Sequence, residues 1–271
     1  VKNAFEIIFS HEGITPAFVE GDSYHRYNRQ EMDDVVKTAE LEGKSITHFG
    51  PEGNLFDELE SLFQEYSQSG TGKRRYYIHD DTEAALRGTS TGMLTEWEDL
   101  PENTDLLFYE GLHGAVITDG VNVHQYVDLL IGVTPIINLE WMQKIQRDKE
   151  YMGYSPEDAT ELILSRMHDY THYITPQFSR TDINFQRVPT VDTSNPFAAR
   201  KVPTNDESFV VIHIRNQEKI KVDFQDLLKM LDGSFMTTLN TIVVPAGKMI
   251  FAMQLITDPL IQDLMKNKGS S

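Results

Sequence analysis

Two apolar stretches in this chain end in the same way, with an acid and a glycine: "FVEGD" at residues 18–22 and "LLFYEG" at residues 106–111. The second is continuously apolar from Leu106 to Tyr109, and a third run, Leu129 to Val133, is similar. Continuous rather than alternating apolar runs suit strands buried on both faces of a parallel sheet, although periodicity alone does not separate them from buried helix. Parallel strands need long crossovers, so these runs predict an α/β chain. Open α/β sheets bind ligands outside the carboxyl ends of their strands, and that is where Asp22 and Glu110 would stand.

With 271 residues the chain is long enough for one large α/β domain or two modest ones. It contains no cysteine, which excludes disulfides, thiolate metal sites and cysteine nucleophiles, and fits a cytoplasmic protein. A net charge of −18 argues against a nucleic-acid partner, because binding to phosphate backbones needs clustered Lys and Arg. No apolar run approaches the roughly twenty residues that span a bilayer, so no membrane partner is expected.

Other elements follow from spacing. Val1, Ala4, Phe5, Ile8 and Phe9 predict a helix with no cap residue before it. Asn138 to Met152 reads as a helix closed by Gly153. Ser155, Pro156 and Asp158 mark the start of another helix, which is expected to run to about Tyr173 and stop before Pro176. "SFVVIHIRN" and "NTIVVPAG" predict strands, and a closing helix is expected to be interrupted near Pro259.

Three groups of residues carry possible chemistry. Glu110 after its apolar strand matches the Walker B pattern, whose carboxylate holds Mg²⁺ on nucleotide phosphates, or it simply ends a strand. Asp22 is followed by Tyr24, His25, Arg26 and Arg29. Cations beside a carboxylate keep it ionised, as a base for a substrate hydroxyl must be, and arginine forks suit a phosphate; the plainer alternative is a surface ion-pair cluster. Lys144, Arg147 and Asp148 share one helix face, as lid residues over a transferred phosphate or as a solvated salt-bridge stripe. His168 and His172 have helical ligand spacing but lack an H-E-x-x-H pattern, so no zinc site is assigned.

A phosphate loop, G-x-x-x-x-G-K-[ST], is not present in the sequence. "SQSGTGKRR" at residues 67–75 imitates one, but Ser67 replaces its first glycine and Arg74 its magnesium-binding hydroxyl, so a polar hairpin or loop is expected there.

"VEGDSYHRYNR", "HFGPEGN", "LLFYEGLHG", "NLEWMQKIQRD", "ITPQFSRTDINFQRVPTVDTSNPF" and "DESFVVIH" together resemble the proteobacterial type of phosphoribulokinase, from Val1 to about Leu264. The resemblance implies a P-loop kinase fold: a doubly wound, mixed sheet with flanking helices and a helical lid, in one domain. It implies transfer of phosphate from ATP, with Mg²⁺, to ribulose 5-phosphate as in Calvin cycle carbohydrate metabolism, and assembly as a homo-oligomer. Asp22 then takes the proton of the C1 hydroxyl, and His25 and Arg29 contact the sugar phosphate; Arg26, in the same cationic cluster, is a further substrate-binding candidate. Glu110 is the metal-site acid, Lys144 and Arg147 meet the transferring phosphate, and Asp148 is needed for turnover. The family's phosphate loop would lie in front of Val1, so roughly twenty residues are expected to be missing, and a polypeptide beginning here is expected to have no useful kinase activity. Met152 stands where many members have a substrate-binding Arg, and His11, His213 and Thr238 stand where NADH-activated members have Arg. The rival readings are a uridine-kinase-like nucleoside kinase and a non-catalytic metabolite-binding module.

Overall fold

The computed structural model describes residues 1–198, 201–217, 219–220 and 222–268, and all of their side chains except those of Tyr151, Met152, Asn267 and Lys268. The expectation attached to the Met152 side chain therefore lies outside the described residues. The chain divides into two compact units, one formed by residues 1–12, 129–164 and 181–271, the other by residues 13–128 and 165–180.

The first unit is organised by a five-stranded mixed sheet. Its strands lie in the order Phe235–Thr238, Thr241–Pro245, Ser208–Ile214, Ile183–Pro189, Ile131–Pro135. Ile131–Pro135 and Ile183–Pro189 run parallel, with Val133 opposite Phe185, and every other neighbouring pair is antiparallel. The third apolar run thus forms its strand two residues later than Leu129–Val133. Along Ser208–Ile214 every second residue is buried, so one face of the strand carries Val210, Ile212 and Ile214. Together with Ile183, Phe185, Ile242 and Val244 these side chains are essentially removed from solvent. Each contributes on the order of 1.5–3 kcal/mol of hydrophobic stabilisation relative to exposure.

The predicted first helix, Lys2–Glu12, buries Ala4, Phe5, Ile8 and Phe9 at the i, i+3, i+4 spacing. The helix Ile137–Met152 ends at Gly153, whose φ of 69° only glycine adopts without strain. At the next helix, Pro156–Ser165, Ser155 Oγ accepts from Asp158 N–H at 3.0 Å and donates to Asp158 Oδ2 at 2.7 Å. The expected continuation to Tyr173 fails: the chain passes through a short helix at Met167–Asp169, a π-turn at Tyr170–Ile174 and a 3₁₀ turn at Thr175–Ser179 that contains Pro176. Thr171 and Thr175 hydroxyls donate to backbone carbonyls four residues back, a local pattern that bends helices, and the long-range bond from Thr47 Oγ1 to buried Asp169, at 2.7 Å, anchors the segment elsewhere. The closing helix, Met249–Lys268, runs through Pro259 without the expected interruption. Proline removes one backbone donor, and burial of Ala252, Met253, Ile256 and Ile261 compensates.

The second unit holds the two acid-terminated runs. Pro16–Glu20 and Leu106–Glu110 pair in parallel, from Pro16 opposite Leu106 to Glu20 opposite Glu110. Ala17 and Val19 point into a core with Leu59, Leu62 and Phe63 from the helix Phe56–Ser69 and with Val116 and Val123. Leu106–Glu110 is only partly buried along its length, which corrects the expectation of burial on both faces; among the described residues this strand has a single hydrogen-bonded neighbour. The polar hairpin or loop expected at residues 67–75 is corrected in part, and the rejection of a phosphate loop there stands. Ser67–Ser69 finish a helix, Gly70 caps it, and Lys73–Arg74 form a two-residue strand against Glu98–Asp99. Helix then strand is the reverse of the order a phosphate loop requires.

Candidate active site

Why does each apolar run end in an acid and then a glycine? A side chain on Gly21 would place its Cβ 2.7 Å from the Gly111 Cα and 2.7 Å from the Tyr109 Oη; one on Gly111 would lie 2.5 Å from that Oη and 2.6 Å from the Gly21 Cα. The strand ends touch backbone to backbone, and only glycine fits at either position. Gly21–Tyr24 then turns in a 3₁₀ helix, carrying Asp22 away from the carboxyl end of its strand.

Asp22 is half-exposed and faces two histidines, with His25 Nε2 3.4 Å from one carboxylate oxygen and His79 Nε2 3.6 Å from the other. Burial opposes its ionisation, but the hydrogen bond to His25 and the charges of His25, His79 and His48 prevail and hold the pKa below the ordinary value. Of the cations that follow Asp22 in the sequence, His25 faces the carboxylate, and His79 stands on its other side. Arg26 instead donates from Nη2 to the Asn54 carbonyl at 3.0 Å.

His25 is buried, and its Nδ1 lies 2.9 Å from Asn54 Oδ1. Asn54 is itself fixed, donating from Nδ2 to the carbonyls of His48 at 2.9 Å and Gly50 at 2.7 Å. Its oxygen is therefore the atom facing the imidazole, which carries a proton on Nδ1 and turns Nε2 toward Asp22. The His25 ring also lies 4.7 Å from that of His48 and 5.9 Å from that of Tyr77. Arg29 opens the helix Arg29–Leu41, capped by a reciprocal Asn28–Glu31 box, and its backbone N–H donates to Gly92 O at 2.9 Å. His113 is buried against Phe56 with Nε2 donating to Phe49 O at 3.1 Å, and burial lowers its pKa to about 4.

Glu110 is half-buried at the end of its strand, and among the described residues its carboxylate has no hydrogen-bond or ion-pair partner. Carboxylate oxygens at a strand end are the hard donors that Mg²⁺ prefers, so Glu110 fits the role of a metal ligand.

In the other unit, Lys144 Nζ lies 2.5 Å from Asp148 Oδ2, and Arg147 Nε lies 3.7 Å from Asp148 Oδ1. The structure thus brings these three together, around a buried carboxylate with an exposed Arg147. The pair His168 and His172 stacks at 4.2 Å, with His172 Nδ1 2.7 Å from the His168 carbonyl. His11 pairs with Glu12, and His213 Nδ1 lies 2.9 Å from Thr241 Oγ1.

Sequence reasoning missed His79, His48 and Asn54. The available signals were "HFGPEGN" and the "IHDD" turn, but nothing in their spacing says that they meet Asp22.

A sequence model described as Phosphoribulokinase / Uridine kinase family matches residues 1–194. A phosphoribulokinase of Nitrobacter vulgaris is 55% identical over 269 residues, covering 99% of this chain and 92% of that protein. The plasmid-encoded phosphoribulokinase of Cupriavidus necator is 57% identical, covering 99% of this chain and 91% of its own. The solved structure of phosphoribulokinase from Rhodobacter spheroides superposes with a TM-score of 0.91 at 48% identity, covering 98% of this chain and 93% of that one. Half of the residues being shared along nearly the whole length, the fold is that of a P-loop kinase of this type, and the chain belongs to the phosphoribulokinase / uridine kinase family.

Proposed function

We propose that this protein transfers the γ-phosphoryl group of Mg-ATP to the C1 hydroxyl of D-ribulose 5-phosphate, giving ribulose 1,5-bisphosphate and ADP. The observation that carries the proposal is Asp22: a carboxylate in the turn that follows a strand, with its pKa lowered and with His25 and His79 on either side, in a chain more than half identical to phosphoribulokinases. Phosphoryl transfer asks little covalent chemistry of the protein, so positioning and charge do most of the work. Asp22 accepts the hydroxyl proton as the oxygen–phosphorus bond forms.

His25, Arg26 and Arg29 hold the phosphate already on the sugar. His25 Nε2, 3.4 Å from the Asp22 carboxylate, stands beside the base, where a substrate phosphate would meet it. Arg26 and Arg29 are exposed and offer planar forks suited to phosphate oxygens. Glu110 would hold Mg²⁺, which would supply positive charge at the nucleotide phosphates. Lys144 and Arg147 act on the transferring phosphate, and Asp148 orients both cations. A homo-oligomer is proposed from the family likeness, and sedimentation of the purified protein measures it. Among the described residues no helix is long and apolar enough to cross a membrane.

The test is turnover by the polypeptide of the whole gene, with ribulose 5-phosphate and uridine compared as acceptors. Ribulose 5-phosphate is expected to be the better acceptor, because uridine has no phosphate for Arg26 and Arg29. Asp22→Asn is expected to lower kcat by roughly 10²–10⁴-fold while the Michaelis constants stay within a few-fold. Equal rates for Asp22→Asn and wild type would overturn the assignment of the base, and preference for uridine would overturn the substrate.

A further inference from the structure

The segment that imitates a phosphate loop is left without a role by that reaction, yet it lies against the turn that carries Asp22. Arg75 donates from Nε to the Ser23 carbonyl at 2.9 Å and from Nη2 to the His25 carbonyl at 2.6 Å. These two carbonyls bracket the residues between Asp22 and Arg26. The same guanidinium lies over the ring of Trp97, 4.6 Å from its centroid, and Trp97 meets Tyr24 edge to face at 5.4 Å. Tyr24 in turn donates from its hydroxyl to the Lys73 carbonyl at 3.0 Å. One residue earlier, Arg74 donates from Nη1 to the Phe18 carbonyl at 3.0 Å and pairs with Glu98 at 3.0 Å. Residues 73–75 therefore grip the strand and the turn from Phe18 to His25 along their length.

We infer that Arg75 is a positioning residue for phosphoryl transfer: its guanidinium fork holds the Ser23 and His25 carbonyls and so fixes Asp22 and His25 in their working geometry. This rests on the proposal that Asp22 is the base.

The chemistry of the fork explains why arginine stands here. The turn is a single 3₁₀ turn whose own closing bond, His25 N–H to Asp22 O, is long at 3.2 Å. A turn this short does not hold its shape alone. Ammonium nitrogen offers a point charge, whereas a planar guanidinium presents parallel donors to two carbonyls and keeps a flat face for an indole. Burial of Arg75 lowers its pKa, as expected for a cation given to backbone carbonyls and an aromatic ring rather than to water. From the other side, Arg26 N–H donates to Gly53 O at 2.9 Å and Leu55 N–H to Tyr24 O at 2.8 Å, so the turn is held between two segments. Without Arg75 one of these supports is gone, and a displacement on the order of 1 Å at the base is worth about 100-fold in rate.

Arg75→Gln and Arg75→Lys test the inference, with Lys73→Met as a control for positive charge, since the Lys73 side chain is exposed and only its carbonyl is used. Both Arg75 variants are expected to lower kcat with ribulose 5-phosphate by roughly 10–100-fold while the KM for ATP changes less than about twofold. Lys73→Met is expected to keep wild-type rates. Hydrogen exchange gives a readout independent of activity: amides of Ser23 to Arg26 should exchange at least about tenfold faster in both Arg75 variants, with those of the Ser208–Ile214 strand unchanged. Full activity in Arg75→Lys would show that charge alone suffices and overturn the fork. Unchanged exchange at the turn would overturn the positioning role even if the rate falls. If wild type itself does not use ribulose 5-phosphate, the proposed reaction fails, while the exchange result still decides what Arg75 holds.

Discussion

Acidification should weaken this protein through His113, and the size of the effect follows from where the ring sits. Its pKa is lowered from 6.5 to about 4, first by burial, with the nearby charge of His25 adding and the Phe49 carbonyl and Asp22 opposing. A depressed pKa means that the unfolded chain takes up a proton that the folded chain refuses. The stability tied to this residue is therefore fully present above the unfolded value, lost as pH falls below 6.5, and gone once pH passes below about 4. Between about pH 7 and about pH 5 the loss is on the order of 2 kcal/mol, and it approaches about 3 kcal/mol below that. The assay is urea unfolding of wild type and His113→Gln across this range. Glutamine keeps a donor for the Phe49 carbonyl but does not titrate. At about pH 7 wild type should be the more stable, because His113 packs on Phe56. The gap between the two proteins should then shrink by about 2 kcal/mol on moving to about pH 5. Parallel stability profiles would refute the reasoning, since the buried ring would then be protonated at no cost.

Gly21→Ala should destabilise the protein by about 1–3 kcal/mol, because the atoms its methyl group meets include the Gly111 backbone, which yields little; a lowered melting temperature checks it. Asp148→Asn keeps the side-chain volume but removes the charge that Lys144 and Arg147 share, so kcat should fall by about 100-fold or more while the KM for ribulose 5-phosphate moves little. Steady-state kinetics on the full-length protein distinguish this from a purely structural role, in which melting would shift and kcat would not.

Much of the fold was legible before any coordinates. The first helix, the Ser155–Asp158 cap, the Gly153 stop and the alternating Ser208–Ile214 strand are set by local spacing and backbone preference, and each forms where its residues predict. Failures came where tertiary contacts outweigh local preference. What reads as one long helix stops at Ser165 and gives way to short turns anchored by the bond of Asp169 to Thr47, and the packing around Pro259 carries a helix through a residue that should break it.

The site divides along the same line. By itself the sequence determined that acids stand at strand ends, that cations follow one of them, and that a Lys/Arg/Asp stripe lies on one helix face, because these facts depend on residue type and periodicity. Only the tertiary structure decided that His79 and His48 join His25 around Asp22, that Asn54 fixes the His25 ring, and that the arginine of a false phosphate loop clamps the turn. The physical reason is distance along the chain. Asn54 lies 29 residues from His25, and Arg75 lies 52 residues from Ser23. Charge and hydrogen bonds act over a few ångströms of space, and no local pattern records which remote residues the fold brings that close.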